Sequence, residues 1–154
     1  MLPDGAQMVA QNRKARHDYF IEDSLEAGLI LTGTEVKSLR AGHATLGDSY
    51  AVEKSGEIYL VNAHISEYSG GNQENHEPLR ERKLLLHKRE IARLIDATQR
   101  QGMTVVPLAL YFNPRGIAKV NLGIAKGKRQ YDKRAAIKDR EWKRDKARLM
   151  KEQG

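Results

Sequence analysis

The sequence predicts a mainly β fold: a small closed or nearly closed antiparallel barrel with two or three short helices and a basic C-terminal tail. Three observations predict it. Short β-rich runs recur along the body, separated by Gly, Pro and Asn turn signals. Stretches with helical spacing are few and short. The charge is divided unevenly: residues 1–125 carry 15 Lys/Arg and 15 Asp/Glu, whereas residues 126–151 carry 12 Lys/Arg against Asp132, Asp139, Glu141 and Asp145. A balanced body with a cationic end is the footprint of a polyanion-binding arm. The bland alternative is a solvated, salt-bridged helix. Confinement of the excess to one end favours nucleic acid or the ribosome.

The elements follow in order. Residues 1–15 lack periodicity, so 1–11 are expected to be a flexible lead to a body spanning 12–125. DYFIE and GLILTG are extended runs around DSLEAG, where Asp23 or Ser24 is placed to cap one helical turn. TEVKSLRAG reads as a helix with Thr34 as its N-cap, Val36 and Leu39 on one face, and Gly42 at its end. YAVEK and EIYLVNAHI, joined through Ser55-Gly56, read as a hairpin. Residues 66–80 are polar and contain Gly70, Gly71 and Pro78, which predicts a loop.

Residues 87–101 place Ile91, Leu94, Ile95 and Thr98 on one helical face, and Gly102 closes the helix. MTVVPLALYF and GIAKVNLGIA follow as strands around the Asn113-Pro114-Arg115-Gly116 turn. Pro107 cannot donate to a ladder, so its strand is expected to be an edge or to bulge there. Val120, Leu122 and Ile124 alternate with Lys119, Asn121 and Gly123, one set for the core and the other for solvent or ligand. The OB-fold is the nucleic-acid-binding type of small barrel, but this pattern does not select it over other barrels.

The tail, 126–154, carries few large apolar residues. Its Asp139/Lys143 and Asp145/Arg148 pairs favour helix only weakly. The expectation is a tail disordered when free and helical when docked on RNA.

Several function classes lose support. Without cysteine there is no disulfide, thiolate metal site or Cys nucleophile, and the cytosol is the default compartment. No apolar run reaches a membrane-spanning length, and the N-terminus lacks a signal-peptide pattern. His17, His43, His64, His76 and His87 contain no pair at zinc-site spacing and no HExxH. GxSxG, P-loop and GxGxxG patterns are missing. A metal-independent ribonuclease using His and Lys is the surviving enzymatic alternative. Intact RNA after prolonged incubation would end it.

Six tyrosines are too few at strand period for a single-strand stacking surface. Recognition of folded RNA by shape fits better. GKRQYDKR, residues 127–134, interleaves Tyr131 with basic pairs, which suits phosphate contact plus base stacking and equally suits an ordinary basic linker.

RHDYFIEDSLEAGLILTGTEVKSLRAG, GDSY, PLRERKLLLHKREI and GKRQYDKRAAIKDREWKRDKARLMK together resemble the SsrA-binding protein (SmpB) family, in order from about Asn12 to Met150. The resemblance implies an OB-like six-stranded antiparallel barrel with about three short helices. It implies binding to the tRNA-like part of transfer-messenger RNA (tmRNA), delivery to stalled ribosomes, and a tail in the empty mRNA path near the decoding centre. Implied partners are tmRNA, the small ribosomal subunit and its rRNA, and indirectly alanyl-tRNA synthetase and elongation factor Tu. No cofactor, metal or catalytic residue is implied, and the free protein is expected to be a monomer.

Carried onto this chain, the resemblance assigns RNA contact to Asn12, Arg13, Tyr19, Glu26, Lys37, Arg40, Lys83, Leu85, His87 and Lys119. Glu26 would accept hydrogen bonds from base or sugar donors or orient an arginine. Its bland role is a surface salt bridge. Leu85 within KLLLH reads equally as core, and His87 as a helix cap. Lys126, Gly127, Lys128, Arg129, Tyr131, Asp132, Lys133 and Arg134 match the ribosome-engaging segment, with Trp142, Leu149 and Met150 further down. Tyr131 stands where many members carry His. Stacking survives that change, whereas imidazole proton chemistry does not. A generic OB-type RNA-binding or ribosomal protein explains charge and fold equally well, and selectivity for tmRNA separates the two.

Overall fold

Alternation along the strands builds the barrel wall. Val120, Leu122 and Ile124 are buried inside, while Lys119 and Asn121 remain partly exposed outside. In a computed structural model, residues 4–70, 75–128 and Arg144 are described. The strands are β1 (Gln7–Gln11), β2 (Tyr19–Leu29), β3 (Ala44–Thr45), β4 (Tyr50–Lys54), β5 (Glu57–Val61), β6 (His64–Ile65), β7 (Arg82–Leu85), β8 (Thr104–Phe112) and β9 (Ala118–Gly127). The helices are α1 (Arg13–Asp18), α2 (Gly33–Arg40) and α3 (Lys88–Gln99). Strands β8, β4, β5, β7, β2 and β9 form an antiparallel ring that the β8–β9 pairing closes. This is the OB-like six-stranded barrel. Strand β1 is added outside the ring on β8, and β3 pairs with β6 in a separate ribbon.

Leu60, Leu84, Val105, Leu110, Val120 and Leu122 fill the core, joined by Leu39 from α2 and Leu94 from α3. A smaller cluster lies under α1, where Ala15 packs on Val106, Leu108 and Ala125 with Tyr19 and Ile21 alongside. Among the described residues no helix is long and apolar enough to cross a membrane.

Turn chemistry behaves as the sequence predicts at several places. Ser55 and Gly56 both take positive φ (52° and 81°), which matches the right-handed twist of the β4–β5 hairpin. Gly42 (φ 79°) ends α2, its N–H donating to Leu39 O and that of His43 to Ser38 O. The register of β8 slips between Pro107 and Ala109, so Pro107 sits in a bulged internal strand.

Four expectations need correction. The lead holds β1, whose ladder to β8 runs from Gln7 opposite Phe112 to Gln11 opposite Ala109. Pairing satisfies backbone groups that β8 would otherwise leave open. DSLEAG contains no helical turn. Strand β2 runs through it with a bulge between Ile21 and Asp23, and the Asp23 carboxylate accepts from Ser24 N–H and pairs with Arg93 of α3. The cap of α2 is Thr32, not Thr34. Thr32 N–H donates to Glu35 at 2.8 Å, and Thr34 Oγ1 instead meets His76 Nδ1 at 2.9 Å. Finally, β9 extends to Gly127, because β2 reaches far enough to pair with it.

A buried ionic cluster fixes α2 to β7. Glu35 and Arg82 are both fully buried and hydrogen-bonded to each other. Arg80 Nη2 adds a 2.7 Å bond to Glu35, while Arg82 donates to Ala63 O at 2.7 Å and Pro78 O at 3.1 Å. Burial pushes the Glu35 pKa up, but hydrogen bonds from Arg80 and Thr32 and the charge of Arg82 outweigh it, lowering it to about 2. His76 pins the far side of the 66–80 loop, with Nε2 2.8 Å from Ile65 O.

Candidate nucleic-acid interface

Outward-facing positions of β7, β2 and β9 form one strip. Gly28 of β2 is the register partner of both Leu85 and Lys119, and Glu26 is the partner of Asn121. Leu85 is 53% exposed, which settles the ambiguity of KLLLH: Leu84 is the core residue and Leu85 faces out. Glycine opposite it leaves room for the Leu85 side chain, since a Cβ on Gly28 would lie 3.1 Å from Leu85 Cβ and press on it. A groove of about 420 Å³ runs between Glu26, Leu85, His87, Ile117 and Lys119. Ile117 is 50% exposed, so the groove has apolar walls with polar groups at intervals. Such a surface can pack an unstacked base while cations hold its phosphates.

Among the described residues Glu26 orients no arginine. The Tyr111 hydroxyl donates to its Oε2, fixing the carboxylate on the outer wall. Burial, then the hydrogen bond and charge of Glu26, push the Tyr111 pKa up, so the phenol stays a donor at any ordinary pH. Tyr111 was missed from sequence. Its signal was its place in LALYF, out of phase with the core residues Leu110 and Phe112. His87 stands at the N-cap of α3, where the Glu90 carboxylate accepts from the His87 backbone N–H at 2.9 Å. Lys83 lies 3.9 Å from Glu57, a loose contact that RNA phosphate can replace.

A second hollow, about 310 Å³, adjoins the strip at Asn121 and is lined by Gln11, Asn12, Arg13 and Arg16 over Leu108 and Ala109. Arg13 is exposed. Asn12 is corrected: it is only 3% exposed and its amide serves the fold. Its Oδ1 accepts from Ala15 N–H at 3.0 Å, and Nδ2 donates to Pro107 O at 2.8 Å and Leu46 O at 3.2 Å. Those bonds cap α1 and hold it on the β8 bulge, which places Arg13. Tyr19 is half-buried in the cluster under α1.

Lys37 and Arg40 are exposed on α2 and line neither hollow. The Lys37 ammonium is 5.5 Å from the Tyr68 ring and the Arg40 guanidinium 5.6 Å from the Phe112 ring. Of the tail set, Lys126 and Gly127 end β9 and Lys128 lies over the Phe20 ring. Arg129, Tyr131, Asp132, Lys133, Arg134, Trp142, Leu149 and Met150 lie outside the described residues, as does the expectation about tail order. Among the described residues no three His, Asp or Glu side chains gather as a metal site.

An OB-like barrel with one outer face of cations, apolar walls and a fixed carboxylate is a barrel of the nucleic-acid-binding class. A family model described as "SmpB protein" matches residues 9–152. The SsrA-binding protein of Chelativorans sp. (strain BNC1) is 62% identical over 146 residues, covering 95% of this chain and 94% of its own length. That of Rhodospirillum rubrum is 60% identical over 147 residues, covering 95% and 92%. A solved structure described as "tmRNA-SmpB: a journey to the center of the bacterial ribosome" is similar at a TM-score of 0.66 and 53% identity, over 77% of this chain and 83% of its own. The chain belongs to the SmpB protein family.

Proposed function

We propose that this protein binds the tRNA-like domain of tmRNA and delivers it to stalled ribosomes for trans-translation, without catalysis of its own. The observation that carries this is the strip: Glu26, Lys83, Leu85, His87 and Lys119 on one barrel face, continued by Arg13. Family membership and the likeness to a tmRNA–SmpB structure support the choice of RNA. Cations on the strip, with Lys37 and Arg40 of α2, would bind phosphates. Leu85 would pack on an exposed base, and Glu26 would accept from base or sugar donors. Asn12 would act by holding α1, and the half-buried Tyr19 beside it would reach RNA with its exposed part. The tail would occupy the empty mRNA channel near the decoding centre, with Lys126 to Arg134 at its root and Trp142, Leu149 and Met150 further along. Its charge excess supports contact with rRNA of the small subunit. Alanyl-tRNA synthetase and elongation factor Tu would act on the same RNA, and the protein would work in the cytoplasm as a monomer.

The test is a titration at fixed, near-physiological salt against the tRNA-like domain and against an elongator tRNA. The expected preference is about a hundredfold, near 2.7 kcal/mol. Equal affinity would leave a generic RNA-binding barrel.

A further inference from the structure

We infer that Phe20 and Glu22 of β2 are positioning residues that clamp the root of the C-terminal tail and set the direction in which it leaves the barrel. The inference rests on the proposed role of the tail in ribosome rescue. The last pair between β8 and β9 is Thr104 with Ala125. Beyond it, among the described residues, Lys126 and Gly127 pair only with β2, opposite Phe20 and Tyr19. The chain therefore leaves the barrel on a two-stranded ribbon, which has one neighbour fewer than the barrel wall and only Tyr19 packed under α1 beside it.

Two side-chain contacts brace it. Lys128 Nζ sits 5.3 Å from the centroid of the Phe20 ring, a cation–π geometry, and Phe20 is 44% exposed. Lys126 Nζ lies 3.2 Å from Glu22 Oε1. Glu22 is the extra residue of the β2 bulge, because Ile21 faces Ala125 and Asp23 faces Ile124. A bulge bends its strand and increases local twist, so the carboxylate tying down Lys126 sits where the ribbon turns. An aromatic face, a bulge carboxylate and two tail-root lysines thus form one clamp. Lys126 and Lys128 accordingly serve as anchors to β2 before they serve as phosphate ligands.

The test compares full-length wild type, Phe20→Leu, Phe20→Trp and Glu22→Gln. Three quantities are read: dissociation constant for the tRNA-like domain, single-turnover tagging rate on stalled ribosomes, and hydrogen exchange at the Lys126 and Gly127 amides. Phe20→Leu keeps apolar bulk but removes the π face. It should speed exchange at whichever of these two amides donates to β2, since only one of two successive residues in an antiparallel ladder does, and slow tagging by about threefold or more, the scale of one exposed cation–π contact, with tmRNA affinity unchanged. Phe20→Trp should restore both, and Glu22→Gln should act like Phe20→Leu with a smaller effect. Wild-type tagging and exchange in Phe20→Leu would overturn the clamp. Equal losses of affinity and tagging would also overturn it, making Phe20 part of the RNA face. Deleting residues 129–154 is the control. If tagging survives that deletion, the tail reading fails, and the exchange arm still decides the clamp.

Discussion

Two groups of charged side chains in this barrel use the same residue types for opposite ends. Around Glu35, its carboxylate and the Arg82 guanidinium are sealed between α2 and β7, the partly exposed Arg80 adds a bond from the outer side, and each charge meets another charge or a carbonyl. On the strip, Lys119 and Arg13 have no ion-pair partner among the described residues, and Glu26 is held only by a phenol. A buried charge is tolerated only when paired, so the Glu35–Arg82 pair is closed to any ligand. A solvated charge loses little by waiting for one, so the second group can exchange water and counterions for phosphate. Charge marks both regions, and burial decides which is structure and which is interface.

The largest expected break in this comparison is Glu35→Ala. It strands Arg82 in the core and should cost about 3–5 kcal/mol of stability, read as a shift in the urea midpoint. A loss below about 1 kcal/mol would mean that the cluster is solvated and the contrast false. Acid tests the same group from another direction. Its folded pKa of about 2 lies below the ordinary 4.5, so the carboxylate favours the fold above pH 4.5. That contribution, about 3 kcal/mol, should fade as pH falls from 4.5 towards 2. A Glu35→Gln variant should lack this part of the acid transition when its stability is followed against pH.

Asn12→Ala probes the line between the two regions. Removing three buried hydrogen bonds should cost roughly 1–3 kcal/mol of stability. A wild-type melting temperature accompanied by weakened RNA binding would return Asn12 to the interface. On the strip itself, Lys119→Ala should leave stability within about 0.5 kcal/mol. It should weaken tmRNA binding by roughly 1–3 kcal/mol. The slope of log affinity against log salt should also shrink by about one. The smallest effect belongs to Gly28→Ala, whose new methyl meets Leu85 Cβ. Shifting Leu85 should cost about 1 kcal/mol in stability. Titration should show weaker tmRNA binding, because the groove wall has moved. Unchanged binding would remove Leu85 from the contact set.

Much of this was legible along the chain. The β4–β5 hairpin, α3 with its Gly102 stop, the bulge at Pro107 and the alternation of β9 all follow from local patterning, since turn and strand chemistry acts between near neighbours. The zero balance of the body and the basic end were equally plain. Family strings reached the strip residues, which no periodicity groups together. What the chain alone could not decide depended on contacts across long separations. Thr32 rather than Thr34 caps α2 because His76 is there to take the Thr34 hydroxyl. Asn12 turns inward because Leu46 O and Pro107 O need a donor. DSLEAG stays extended because β9 supplies a ladder. Local propensity proposes a conformation at each of these sites. The partner brought up by barrel closure decides it, because a buried polar group left unpaired costs more than the propensity it overrides.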